Sequence, residues 1–214
     1  PRFRAPSSLS HFDVPGRETL RKKMEVIPKG RRLRIIRLVE NQILTETEEL
    51  ETDGQPPEPR RVGRAKVVVV ERHRGTGNVG VGFLGGLGLE RGAIASTIAH
   101  DSHNVIAAGM DDRDILCAVE ALRRTRGGIV VASGGTVRAH LSLPLCGLMS
   151  DRPSGEVSRL HGSLEKAARS LGRRVISNPF MYLSFVALPV IPYLRLTDRG
   201  LFDVDRFRFV PLTF

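Results

Sequence analysis

The chain has 214 residues, 41% of them hydrophobic, no Trp, and a formal net charge of +10. That length holds one large domain, or one domain with an extended arm, and the apolar content is enough for an aliphatic core. No apolar run crosses a bilayer, because Phe180 to Leu196 is interrupted by Pro189, Pro192 and Arg195.

The charge is unevenly spread. Residues 1–34 are strongly basic, whereas 40–58 hold seven acids and no base. A basic surface attracts polyanions, but no basic helix, aromatic stacking face or zinc knuckle accompanies it, so nucleic acid is not an expected partner. A basic arm docked on an acidic neighbour is the plainer reading. Cys117 and Cys146 form no spaced motif and read as buried free thiols in a reducing cytoplasm. A start on Pro1, with no initiator Met and no signal segment, reads as a piece of something longer.

Residues 1–30 carry Pro1, Pro6, Pro15 and Pro28 and little periodicity, and read as an irregular arm. Leu33 to Val39 is a β-branched strand, and Ile43 to Leu50, alternating Thr and Glu, is its exposed partner. Asp53 to Pro59 is a turn-rich loop. Lys66 to Val70 contains four successive valines, the pattern of a strand buried on both faces.

Glycines follow at 75, 77, 80, 82, 85, 86, 88 and 92. Gly75, Gly77 and Gly80 fit a Gly-x-Gly-x-x-Gly spacing, but a phosphate cradle needs a helix next, and Val79 to Leu89 is a poor one. Tight packing of a glycine-rich turn is the better reading. Apolar runs at 93–99 and 105–108 then flank His100, Asp101, Ser102, His103 and Asn104. Three of the six histidines, His73, His100 and His103, fall within this central stretch, and Asn78 lies near it. Polar residues on a connection between two inner strands point to a binding or catalytic face. The plainer alternative is that they hydrogen-bond the glycine-rich turn. The other histidines, His11, His140 and His161, read as surface or helix-face positions.

Asp111 to Thr125 is the clearest helix: Asp111 caps it, Ile115, Val119 and Leu122 form its stripe, and Gly127-Gly128 ends it. Ile129 to Leu143 is a hairpin turning at Gly134-Gly135. A second helix opens at Asp151 and runs to Leu171, with Val157, Leu160, Leu164 and Ala168 on its stripe. Asn178-Pro179 reads as a break or helix stop. Phe180 to Leu188 is helix or strand, undecided by period; Val190 to Leu196 reads as a strand. Asp198-Arg199 shapes a turn, and Phe202 to Val210 returns as a strand. Hairpins outnumber helical crossovers. The expected fold is therefore α+β, an antiparallel or mixed β-sheet flanked by helices, with residues 1–64 as arm and lead-in strands and 65–214 as the main domain.

His100-Asp-Ser-His-Asn104, after Arg91-Gly-Ala-Ile-Ala-Ser96, resembles the C-terminal domain of the adenine deaminases of the amidohydrolase superfamily. So do Val70 to Asn78, Leu143 to Asp151, Asn178 to Phe185, Ala187 to Pro192 and Leu196 to Leu201. The likeness runs in order over about residues 65–212. It implies hydrolysis of adenine to hypoxanthine and ammonia in the cytoplasm, with a divalent metal, manganese first and iron or zinc next, held mainly by a barrel. No His-x-His and no barrel are in this sequence, so the chain alone is expected to be inactive. His100, Asp101 and His103 are then the candidates to face the catalytic centre, or to hold an accessory metal. Ser102, Asn104, His73 and Asn78 are candidates to bind substrate. The implied partners are adenine and the missing barrel, with room for a homo-oligomer. A non-catalytic basic module binding nucleic acid or a purine is the alternative.

Overall fold

The computed structural model describes residues 11–214. The first ten residues of the expected arm lie outside the described range. The next twenty are not irregular throughout. They hold helix α1 (Arg17–Lys23), whose Leu20, with Val14 and Met24 beside it, is buried.

An eight-stranded mixed sheet forms the middle layer, in the order β2-β1-β4-β3-β6-β5-β7-β8. Its strands are β1 (Arg32–Leu38), β2 (Thr45–Glu51), β3 (Ala65–Val70), β4 (Val79–Gly85), β5 (Ala93–Ser96), β6 (Val105–Gly109), β7 (Gly128–Ser133) and β8 (Thr136–Ser142). All neighbours are antiparallel except β1 and β4. A second, three-stranded sheet joins β9 (Leu194–Thr197), β10 (Gly200–Asp203) and β11 (Arg208–Phe209). A one-turn helix α2 (Pro59–Val62) precedes β3. The α+β expectation holds.

The valine run shows why the large sheet is a middle layer. Successive side chains of a strand point to opposite faces. Val67 and Val69 join a core closed by α4 (Ser154–Arg169), α5 (Pro179–Val186) and the small sheet. Val68 and Val70 join a second core closed by α1 and α3 (Asp112–Thr125). Each such Val, fully buried, contributes about 1.5–3 kcal/mol. On α3, Asp111 accepts from Arg113 N–H at 2.8 Å as the N-cap, and Asp112 pairs with buried Lys66 of β3 at 2.7 Å. Arg126, in the left-handed conformation, is the C-cap, one residue before the glycines expected to end the helix.

Several local readings are confirmed and several are shifted. The β7–β8 turn is Gly134-Gly135, with φ of +66° and +73°, as a primed turn requires. α4 starts at Ser154, three residues later than expected, behind Pro153. Asn178-Pro179 opens a helix rather than stopping one: Pro179 stands at the start of α5, where its missing N–H costs nothing. Cys146 is exposed and Cys117 half-buried, so the buried-thiol reading fails for the first.

The glycine-rich segment is strand β4, and its glycines serve close approach. A Cβ on Gly80 would lie 1.9 Å from the carbonyl oxygen of Thr197 at the end of β9, so only Gly lets the small sheet settle there. The preceding turn is already occupied by an internal anion. Glu71 carboxylate oxygens accept from the backbone N–H groups of His73, Arg74 and Thr76 and from Thr76 Oγ1, at 2.5 to 3.0 Å. No helix follows and the turn is filled from within the chain, so there is no free phosphate cradle here.

Burial tends to raise the Glu71 pKa, but the donors of Thr76, Arg74 and His73 outweigh it and hold the carboxyl below its ordinary range. A depressed folded-state pKa stabilises the fold above the unfolded carboxylate value, and that contribution is lost as pH falls through the folded one. Glu71→Gln is therefore expected to cost about 1–3 kcal/mol at neutral pH. Urea unfolding should show the gap from wild type closing as the medium becomes acidic.

Candidate functional site

Strand register brings three connections to one end of the large sheet. Val70 pairs with Val105, so the β3–β4 turn (71–78) lies beside the start of β6. Ser96 pairs with Ile106 and with Ile129, which sets the β5–β6 connection (97–104) at the same end. Gly128 pairs with Ser142, so the segment after β8 arrives there too.

The β5–β6 connection closes on itself. His103 N–H donates to Ala99 O at 2.6 Å, with His103 at φ +49°, and Ala99 N–H donates to His103 Nδ1 at 3.3 Å. A ring whose Nδ1 accepts carries its proton on Nε2 when neutral. Burial is the first cause that lowers the His103 pKa; the nearby His100, Arg72 and His73 lower it further, and Asp101 opposes them. The neutral imidazole therefore offers an Nε2–H donor.

His100 is half-buried. Its ring packs 5.0 Å from Phe185 and edge-on to His103 at 5.7 Å, and its backbone N–H donates to Ser184 O of α5 at 3.0 Å. The His100–Asp101 peptide is cis. Asp101 and Ser102 are exposed at the tip of the connection. His73 joins them from the neighbouring turn, donating from Nε2 to Ser102 O at 2.8 Å. His73, His100, Asp101, Ser102 and His103 thus share one open end of the sheet.

The two asparagines do not. Asn104 is 4% exposed, with its Oδ1 buried and without a hydrogen-bond partner among the described residues. Asn78 turns to the small sheet and donates from Nδ2 to Asp198 Oδ2 at 3.0 Å.

A metal does not fit these residues. Among the described residues no three His, Cys, Asp or Glu side chains converge on a point that could hold an ion. His103 is also the wrong tautomer: with Nδ1 accepting from Ala99, its Nε2 lone pair is protonated, and a metal ligand needs that lone pair free.

Sequence reading passed over Arg72, the residue that holds the end together. Its side chain is 2% exposed, its Nε donates to His103 O at 2.6 Å, and an Nη donates to Cys146 O at 2.8 Å. Burial lowers its pKa first, with Cys146 and Glu71 opposing. The signal was present in the period of two: Arg72 follows Val68 and Val70 on the face that packs against α1 and α3. Gly147 admits the guanidinium, because a Cβ there would meet it at 2.9 Å.

The sequence profile of the adenine deaminase C-terminal domain matches residues 42–208. Adenine deaminase 2 of Carboxydothermus hydrogenoformans is 48% identical over 194 residues, 89% of this chain and 34% of that protein. Adenine deaminase of Desulfatibacillum aliphaticivorans is 46% identical over 182 residues, 84% of this chain and 32% of that protein. Adenine deaminase of Nitratidesulfovibrio vulgaris strain DP4 is 55% identical over 150 residues, 69% of this chain and 26% of that protein. The chain spans about a quarter to a third of the length of these curated relatives. With β4 and the β5–β6 connection both inside the matched range, this chain belongs to the adenine deaminase C-terminal domain family.

Proposed function

We propose that this chain is the C-terminal part of an adenine deaminase of the cytoplasm, which hydrolyses adenine to hypoxanthine and ammonia. One observation carries the reading: relatives named adenine deaminase are 46–48% identical over 84–89% of the chain. They extend well beyond it, so the catalytic barrel is a partner outside these residues. The divalent metal expected for the reaction, manganese first and iron or zinc as alternatives, belongs in this reading to that barrel, where it would activate water.

The part of this domain is to close the site. The open end of the sheet carrying His73, His100, Asp101, Ser102 and His103 faces the barrel mouth. There the neutral Nε2–H of His103 donates a hydrogen bond to a purine nitrogen, and Asp101 and Ser102 supply acceptors for the amino group. Arg72 is a positioning residue: it holds the His103 carbonyl from behind and never touches substrate. Closing the mouth excludes water, which strengthens each of these contacts.

Three measurements test this. An ammonia-release assay on adenine should find the 214 residues inactive alone and active when joined to the barrel. Release by the chain unaided, or none by the joined protein, would remove the proposal. In the joined protein, His103→Ala should lower turnover at least about tenfold, the loss of one hydrogen bond of about 1.4 kcal/mol, and should cost about 1–3 kcal/mol of stability because the buried Ala99 N–H loses its acceptor. Arg72→Met should lower turnover and stability together, the latter by about 2–4 kcal/mol, because two buried carbonyls lose their donor. Wild-type turnover in His103→Ala would take that residue out of the site.

A further inference from the structure

The outer face of the small sheet is an aromatic surface that the fold leaves uncovered. Side chains alternate along β10, and Leu201 faces the core with Leu194 and Leu196 of β9. Phe202 points the other way, and its strand partner Phe209 lies beside it, with ring centroids 5.2 Å apart. Phe207 meets Phe202 edge-on at 5.4 Å. Tyr193 adjoins the group: its N–H donates to Asp205 Oδ2, and its carbonyl accepts from Val204 N–H in the β10–β11 turn. Four of the sequence's nine Phe and two Tyr thus gather outside a mainly aliphatic core.

Two independent observations mark this face as one that a partner covers. Phe207 is 81% exposed, and Phe209 and Tyr193 are each 46% exposed. Grouped exposed aromatics with polar residues around them mark an interaction surface. Phe207 and Tyr193 also stand at φ of +49° and +70°, in the left-handed region that strains a bulky side chain. Burial within the chain does not repay that strain, because both rings stay in solvent. Held in contact with a partner, they would form the desolvated aromatic anchors typical of an interface.

The neighbours of the face identify the occupant. The Arg199 guanidinium lies 5.3 Å from the Phe209 ring, and Asp198 beside it accepts from Asn78 at the end of the β3–β4 turn. That turn carries His73, so the outer face continues into the open end of the large sheet. About two-thirds of each relative lies outside the part this chain matches, which supplies a partner large enough to cover both. A second copy fits less well. Of the three arginines around the face, only Arg206 pairs with a carboxylate among the described residues, Asp203 at 3.7 Å. Arg199 and Arg208 would meet like charge on another chain of net charge +10.

We propose that the outer face of the small sheet is a docking surface for the barrel of the complete protein, with Phe207 and Tyr193 as anchors and Arg199 and Arg208 paired to carboxylates of the barrel. The inference rests on the proposed function for the barrel as partner. It concerns how the two parts are held together, not the chemistry between them.

Hydrogen–deuterium exchange over residues 193–209, in this chain and in the chain joined to the barrel, tests it. Joining should slow exchange there at least about tenfold. Phe207→Asn and, separately, Phe209→Ser should each return exchange in the joined protein toward that of the chain alone. The isolated Phe207→Asn chain should melt close to wild type, because Asn accepts positive φ more easily than Phe and that relief offsets the lost ring contact. Equal exchange in the two wild-type proteins, or protection unmoved by both substitutions, overturns the proposal. So does a much lower melt of the isolated Phe207→Asn chain, which would make that ring part of the fold. Protection in the chain alone that fades on dilution would assign the face to a second copy and overturn it as well. Protection on joining without ammonia release from adenine sinks the deaminase reading and leaves this one. Ammonia release without protection does the reverse.

Discussion

The buried guanidinium of Arg72 sets the geometry of the candidate site. It is a charge taken out of water with no carboxylate hydrogen-bonded to it among the described residues, held by the carbonyls of His103 and Cys146. A buried charge is costly unless its donors are satisfied, so the two carbonyls must stay where the guanidinium finds them. The ring of Phe12 lies 5.6 Å from it. The β5–β6 connection and the segment after β8 are thereby locked to the end of β3. The histidines of that connection inherit their positions from this lock.

Arg195 repeats the device on the small sheet. It is fully buried, burial pushes its pKa down to about 10, and it donates to the carbonyls of Ile191, Pro192 and Ile43. It remains charged at neutral pH, and it ties the loop before β2 to the approach to β9. Glu71 is the anionic counterpart, satisfying the turn that Arg72 leaves behind. Three ionised groups, each paired with main chain, organise the irregular segments that hydrophobic burial cannot direct. Hydrophobic burial is non-directional and sets only which faces meet.

The glycines of 75–88 illustrate how one composition supports two readings. Spaced glycines after a strand suit a phosphate loop, and they equally suit a strand against which another sheet must press. The anion-binding turn exists, but Glu71 fills it from within the chain. Gly80 and Gly82 of β4 face Thr197 and Leu196, and Gly85 faces Glu48 and Arg64, rather than a ligand. What separates the two readings is the next element, a strand here and a helix in the phosphate loop.

Local chemistry made much of the fold legible. The valine run, the capped helix α3, the Gly134-Gly135 turn and the stripe of α4 depend on neighbours within a turn or a strand, and the residues alone determined them. The clustering of His73 with His100 and His103 was legible as a suspicion, because polar residues between two apolar strands seldom sit idle. Tertiary structure decided the rest. Asn78 left the cluster because its partner Asp198 lies across the fold, and Asn104 because its side chain is buried in the interior. α5 became a helix because Pro179 could start it and its apolar side chains found a core. Arg72 acquired its role only when strand register brought residues 31 and 74 positions away to its side. Sequence patterns record which face a side chain takes, whereas register and layer packing set which distant carbonyl it meets. That is why the scaffold was readable in advance and the site was readable only in part.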